Sequence, residues 1–169
     1  VIDFESAQSH EVTLQVTDSD GLTYQETVTI NVADVNEGPT DIALSGTSVD
    51  ENAAGGTVVA TLSGTDPDAG DTLTYSISND PDGVFQIDGN ELQVKAGANL
   101  DFESAQSHEV TLEVTDGDLT YQETVTINVA DVNEGPTAIT LDNASVAENA
   151  TGAVVGTLST ADVDDSSHT

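Results

Sequence analysis

The sequence predicts an all-β fold of tandem seven-stranded antiparallel Greek-key β-sandwich repeats. Three observations carry that prediction. Apolar residues alternate with polar ones at period two in short stretches rich in Val, Thr and Ile, which is the pattern of half-buried strands. No stretch carries a helical stripe. A block of the chain is also written twice: Asp3–Leu14 returns as Asp101–Leu112, and Leu22–Thr40 returns unchanged as Leu119–Thr137. Self-similarity at domain length implies a string of modules.

The complete unit is expected to hold seven strands, at 40–49, 56–64, 72–78, 84–88, 91–96, 108–115 and 121–130. Val58, Ala60 and Leu62 alternate in the second, and Leu73, Tyr75 and Ile77 in the third. Val110, Leu112 and Val114 alternate in the sixth, and Val125, Ile127 and Val129 in the seventh. Asp88-Gly89-Asn90 reads as a tight hairpin turn, and Asn79–Gly83 as a loop. Short strands at this spacing argue for a sandwich. Its core is expected from Ile42, Leu44, Val58, Leu62, Leu73, Tyr75, Ile77, Phe85, Leu92, Val94, Leu100, Val110, Leu112, Val125 and Ile127. With three Phe, three Tyr and no Trp, that core is thin and calls for further stabilisation.

The repeat places the last part of one unit at 1–37, a complete unit at 38–134 and the first part of another at 135–169. The chain reads as a window on a longer array. The two partial units lack the counterpart of about 71–99, so neither can bury a full core. Between units run Ala33–Thr40 and Ala130–Thr137, too short to be slack spacers. Their Pro residues stop the strand ladder and favour an extended entry.

Charge excludes several functions. There are 32 acidic residues against one Lys and no Arg, a net charge of −31. Such a chain repels nucleic acid and anionic membrane surfaces. No apolar run is long enough to insert in a membrane. Without Cys there is no disulfide and no thiolate site. Part of the acidity suits a solvated surface that resists aggregation; part of it is clustered.

The clusters recur once per unit, at strand ends and loops. They are Glu51-Asn52 (again Glu148-Asn149), Asp66-Pro67-Asp68 (again Asp162-Val163-Asp164), Leu100-Asp101-Phe102-Glu103 (again Asp3-Phe4-Glu5) and Asp131-Val132-Asn133-Glu134 (again Asp34–Glu37). A less regular group is Asp116-Gly117-Asp118 and Asp18-Ser19-Asp20. Turn and capping chemistry explains single Asp residues, but not five motifs in one order.

That order, E-N, D-x-D, L-D-x-E, D-x-D and D-x-N-E-x-P, resembles the cadherin repeat over the whole chain. The linker is most similar to that of bacterial cadherin-like repeats in long surface adhesins. The resemblance implies a cadherin/immunoglobulin-like sandwich, calcium ions held between consecutive units, and a location outside the cell, on the surface or secreted. Carried across, the second junction would use Glu51, Asp101, Glu103, Asp131, Asn133, Glu134, Asp162 and Asp164. The first would use Asp3, Glu5, Asp34, Asn36, Glu37, Asp66, Asp68 and Asp116 or Asp118. Two or three ions per junction are implied. The chain departs from the family where Asp50 and Ala147 stand in place of a Pro before E-N. It departs again where the linker reads Asn133-Glu134-Gly135 instead of N-D-N.

The residue types fit calcium on their own, since it takes six to eight hard oxygens, and sulfur ligands are missing. His10 and His108 share one repeat position and read as ordinary surface residues. The Asp66–Asp71 segment lacks the closing Glu of an EF-hand loop. Asn143-Ala144-Ser145 and Asn149-Ala150-Thr151 match the glycosylation sequon, a short pattern. Lys95 reads as a strand-edge gatekeeper rather than a crosslinking residue.

The functional expectation is a structural extender, stiffened by calcium, in a long adhesin or filament, with adjacent repeats of the same chain as partners. The alternative is a binding module, either homophilic between identical chains in a fibre or directed at a surface glycan. An enzyme is not expected.

Overall fold

The computed structural model describes residues 1–149 and 151–164. Twelve strands lie among them and no helix. In chain order they are β1 (Ser9–Thr17), β2 (Thr23–Asn31), β3 (Asp41–Leu44), β4 (Ser48–Asp50), β5 (Val58–Thr65), β6 (Thr74–Asn79), β7 (Phe85–Asp88), β8 (Glu91–Val94), β9 (Ser107–Thr115), β10 (Thr120–Ala130), β11 (Ala138–Leu141) and β12 (Leu158–Ala161). Strands β3 to β10 form two four-stranded sheets, ordered β3-β5-β8-β7 and β4-β10-β9-β6, while β1-β2 and β11-β12 are separate two-stranded pairs.

The expected first strand divides in two. At Ser45 the backbone N–H still donates to the Thr61 carbonyl at 3.0 Å, but its hydroxyl takes the Thr61 N–H at 2.8 Å and ends the ladder. The chain then crosses to the other sheet, where β4 runs parallel to β10, with Val49 opposite Val129 and Asp50 opposite Ala130. The otherwise antiparallel sandwich therefore contains one parallel pairing that alternation alone does not reveal.

The core lies between the two sheets. Leu62, Leu92, Leu100, Leu112 and Ile127 are fully buried, and Leu44, Leu73, Tyr75, Ile77 and Val125 pack on them half-buried. Val58 is a correction: it is 46% exposed. A register shift between Val58 and Ala60 turns the strand, so Val59 enters the core in its place. Such a bulge inserts one residue and reverses the alternation before it. Val49, Val84, Val114 and Val129 also join the core.

His108 is a second correction. It lies opposite Ile127, on the inward face with Val110 and Leu112, and is 7% exposed. Its Nδ1 meets Asp82 Oδ2 at 2.7 Å, and its ring stands edge-on to Phe85 at 6.1 Å. Counting back by two from Val110 reaches this position. His10 is exposed, as are Val12, Leu14 and Val16 of the same strand. His168 lies outside the described residues.

The β7–β8 turn follows the expectation. Asp88 pairs with Glu91 around Gly89-Asn90, and only Gly89 of the two has positive φ, at 62°. That fits a type II′ hairpin, which needs glycine at its first central position.

Candidate metal centre

Glu51 follows β4 directly, and its N–H donates to the Ala130 carbonyl at 3.0 Å. Asn52 then takes φ 55°, a left-handed turn that Asn tolerates better than most residues. Asn149 repeats it at 62°. The turn leaves the Glu51 carboxylate inside the unit at 3% exposure. There it accepts the Phe102 N–H through Oε2 and the Val132 N–H through Oε1, both at 2.8 Å. One side chain thus ties the L-D-x-E loop to the linker.

Each acidic motif has its own local reason for its shape. Asp101 accepts the Ser104 N–H and hydroxyl at 3.0 and 2.9 Å, which closes a tight turn and brings Glu103 towards Glu51. Asp3 repeats this with Ser6, and those bonds hold its carboxyl below the usual range. In the D-x-D motifs the first Asp accepts the N–H of the second: Asp66 from Asp68 at 3.0 Å and Asp162 from Asp164 at 3.1 Å.

Across the second junction, the Glu134 N–H donates to Asp164 Oδ2. Asn52 donates its amide to Glu134 Oε1. Carboxylate oxygens of Glu51, Glu103, Glu134 and Asp164 lie within 4.8 Å of one another. Glu134 Oε2 and Asp164 Oδ1 are buried without a hydrogen-bond partner among the described residues. Burial, and then the charges of Glu51, Asp164 and Glu134, push the Glu103 carboxyl up. Burial likewise pushes Glu134 up against the opposing Asn52 amide, with Glu51 and Asp164 adding to the rise.

Across the first junction two groups form. Glu5, Asp34 and Asp68 converge, as do Asp66, Asp71 and Asp116. The Glu37 N–H donates to Asp68 Oδ2 at 2.7 Å, and the Asn36 amide to Asp116 Oδ2 at 3.0 Å. Asp66 Oδ2 and Asp68 Oδ1 are buried and unpartnered among the described residues. Asp116 is held below the usual range by the Leu119 N–H, then the Asn36 amide and the Asp118 N–H. Asp71 is pushed up by burial, then by Asp66, Asp68 and Asp116.

Of the two alternatives in the last motif, Asp116 enters a group and Asp118 does not. Among the described residues Asp3, Glu37, Asp101, Asp131 and Asp162 are not members of these groups, though Asp162 accepts the Asp164 N–H; Asn36 donates to Asp116 and Asn133 to the Glu134 carbonyl. Asp71 is the acid that the motif reading missed. Its signal was its place five residues after Asp66, at the end of the segment set aside as an incomplete EF-hand loop. Every converging ligand atom is a carboxylate oxygen, a donor set suited to a hard cation; Cys is absent, and His108 faces the core.

This is the architecture of a tandem β-sandwich protein with acidic junctions between its repeats. The chain belongs to the cadherin family: the cadherin domain model matches residues 46–130. Cadherin domains are adhesion modules and not enzymes. The chain is 33% identical over 143 residues to human protocadherin gamma-A11, covering 80% of this chain and 15% of that protein. It is 34% identical over 143 residues to human protocadherin Fat 4, covering 79% and 3%. The chain therefore spans a small part of the relatives it matches. Among solved structures, extracellular cadherin domains 1–5 of protocadherin gamma B2 align with TM-score 0.68 and 25% identity. That alignment covers 97% of this chain and 34% of the other. The human desmocollin-1 ectodomain aligns with TM-score 0.59 and 25% identity, covering 99% and 34%.

Proposed function

We propose that this chain is an extracellular extender whose joints are stiffened by calcium. The units are 1–37, 38–134 and 135–169. The observation that carries the reading is the convergence of Glu51, Glu103, Glu134 and Asp164, with oxygens of Glu134 and Asp164 buried and unpartnered among the described residues. Crowded carboxylates held out of water repel one another, and a divalent cation removes that cost. The second joint would draw ligands from Glu51, Asp101, Glu103, Asp131, Asn133, Glu134, Asp162 and Asp164. The first would draw them from Asp3, Glu5, Asp34, Asn36, Glu37, Asp66, Asp68 and Asp116, with Asp71 added.

Ligands from two consecutive units on shared ions would couple cation binding to the angle between those units. Extracellular calcium modules bind at about 0.1–1 mM, so the chain would be loose where calcium is scarce and rigid outside the cell. The near-identity of the copies suits a spacer, in which any unit can stand for another. The D-V-N-E-G-P-T linker supports placing the extender in a bacterial surface adhesin or filament.

Small-angle scattering of the chain in millimolar calcium and in chelator tests the reading. A longer maximum dimension in calcium is expected; equal dimensions in both would refute it.

A further inference from the structure

We propose that the linker entering the complete unit is also pinned to that unit by a contact that needs no cation: the bare backbone of Gly38 seats the Leu119 side chain of the β9–β10 hairpin. The proposal takes the boundary at residue 38 from the reading above, but not the calcium. Gly38 does not have positive φ, so its backbone conformation is open to any residue and does not require glycine. Space does. A Cβ at Gly38 would lie 2.9 Å from Leu119 Cβ and 3.4 Å from its Cδ1. The nearer atom is fixed to the hairpin backbone and cannot swing aside.

The neighbours agree. Asn36, two residues before, donates to Asp116 at the other end of the same hairpin turn, so the linker is gripped at two points. Gly38 is half-buried and Pro39 buried. The described residues hold no counterpart of the β9–β10 hairpin after Gly135, and among them a Cβ there would meet nothing within 4 Å, which makes that position a control. Leu119 keeps 45% of its surface exposed, so the seat covers one side of it. The departure of the linker from N-D-N thus gives up a side-chain donor and gains a seat.

Nuclear Overhauser effects in the whole labelled chain, held in chelator, test this. Cross-peaks between the Gly38 α-protons and the Leu119 methyls are expected. G38A should abolish them and shift the Asn36 side-chain amide, while G135A should leave both unchanged. L119A, which trims an exposed side chain, should raise the picosecond mobility of the Asn36–Gly38 amides without altering the β9–β10 pattern. Absent cross-peaks with β9–β10 intact, or a G38A spectrum equivalent to that of G135A, would overturn the proposal. So would unchanged linker mobility in L119A. A calcium titration of the same samples reads the metal proposal separately, since the seat can persist where no ion binds.

Discussion

Replacing Glu51 by Gln separates the two roles of that residue. The side chain keeps its shape, but one of its oxygens becomes an NH2 group. Facing either the Val132 or the Phe102 N–H, that group turns a 2.8 Å hydrogen bond into two opposed donors, and an orphaned buried donor costs about 1–3 kcal/mol. Removing one charge from a group of four carboxylates offsets part of that loss in chelator. In calcium nothing offsets it, because a ligand has gone. A ligand present at 100 times its dissociation constant stabilises the folded state by about 2.7 kcal/mol per site. With roughly 4–8 °C per kcal/mol for a domain of this size, calcium should raise the melting temperature of the unaltered chain by about 10–20 °C. If the substitution weakens binding about tenfold, the gain falls to about 1.4 kcal/mol, and the calcium-dependent rise is roughly halved. Differential scanning calorimetry of both chains, each in calcium and in chelator, reads the difference of differences. Equal calcium-dependent rises would refute the assignment of Glu51 to the metal centre.

Two further outcomes follow from the geometry. Glu103 and Glu134 are weaker acids folded than unfolded, so their protonation favours the fold; that gain is complete below the ordinary glutamate value of 4.5 and is lost as pH rises through the raised folded values. In chelator the urea midpoint should therefore climb as pH falls from about 7 to 5. Asp3 and Asp116, held below 3.8, act in the opposite sense only at lower pH, and a flat or falling midpoint would contradict the clustering. His108→Ala should cost roughly 2–4 kcal/mol in urea unfolding by opening a cavity beside Phe85, while His10→Ala should change stability by less than about 0.5 kcal/mol.

The sandwich was legible because its strands obey a strict period of two. The places where the reading slipped are those where tertiary structure broke that period. At Val58 and Val59 a bulge exchanged which valine faces inward. At Ser45 a side-chain hydroxyl, invisible to any hydrophobic pattern, took over a ladder hydrogen bond and sent the strand to the other sheet. His108 was misjudged by residue type although its spacing from Val110 put it inside. The acidic junctions were legible from motif order, because Asp and Asn shape their own turns locally. Asp71 was not, since its approach to Asp66 and Asp116 depends on how two loops meet. Nor was the Gly38 seat, because a glycine writes the absence of a side chain and only the fold shows what fills the space.

The crossing from β3 to β4 also governs how the unit would respond to being pulled. The complete unit is entered at Asp41, at the start of β3, and left at Ala130, at the end of β10, on opposite ends of the sandwich. Tension through the chain would run lengthwise along β3 and β10. Strand β10 is flanked on one side by β9 over nine paired positions, from Asn128 to Thr120, and on the other by β4, in parallel, at the point where the pull is applied. A force along the strand strains these hydrogen bonds together rather than opening them one after another. The three-residue strand β4 then acts as a latch at the exit, with Glu51 at its tip.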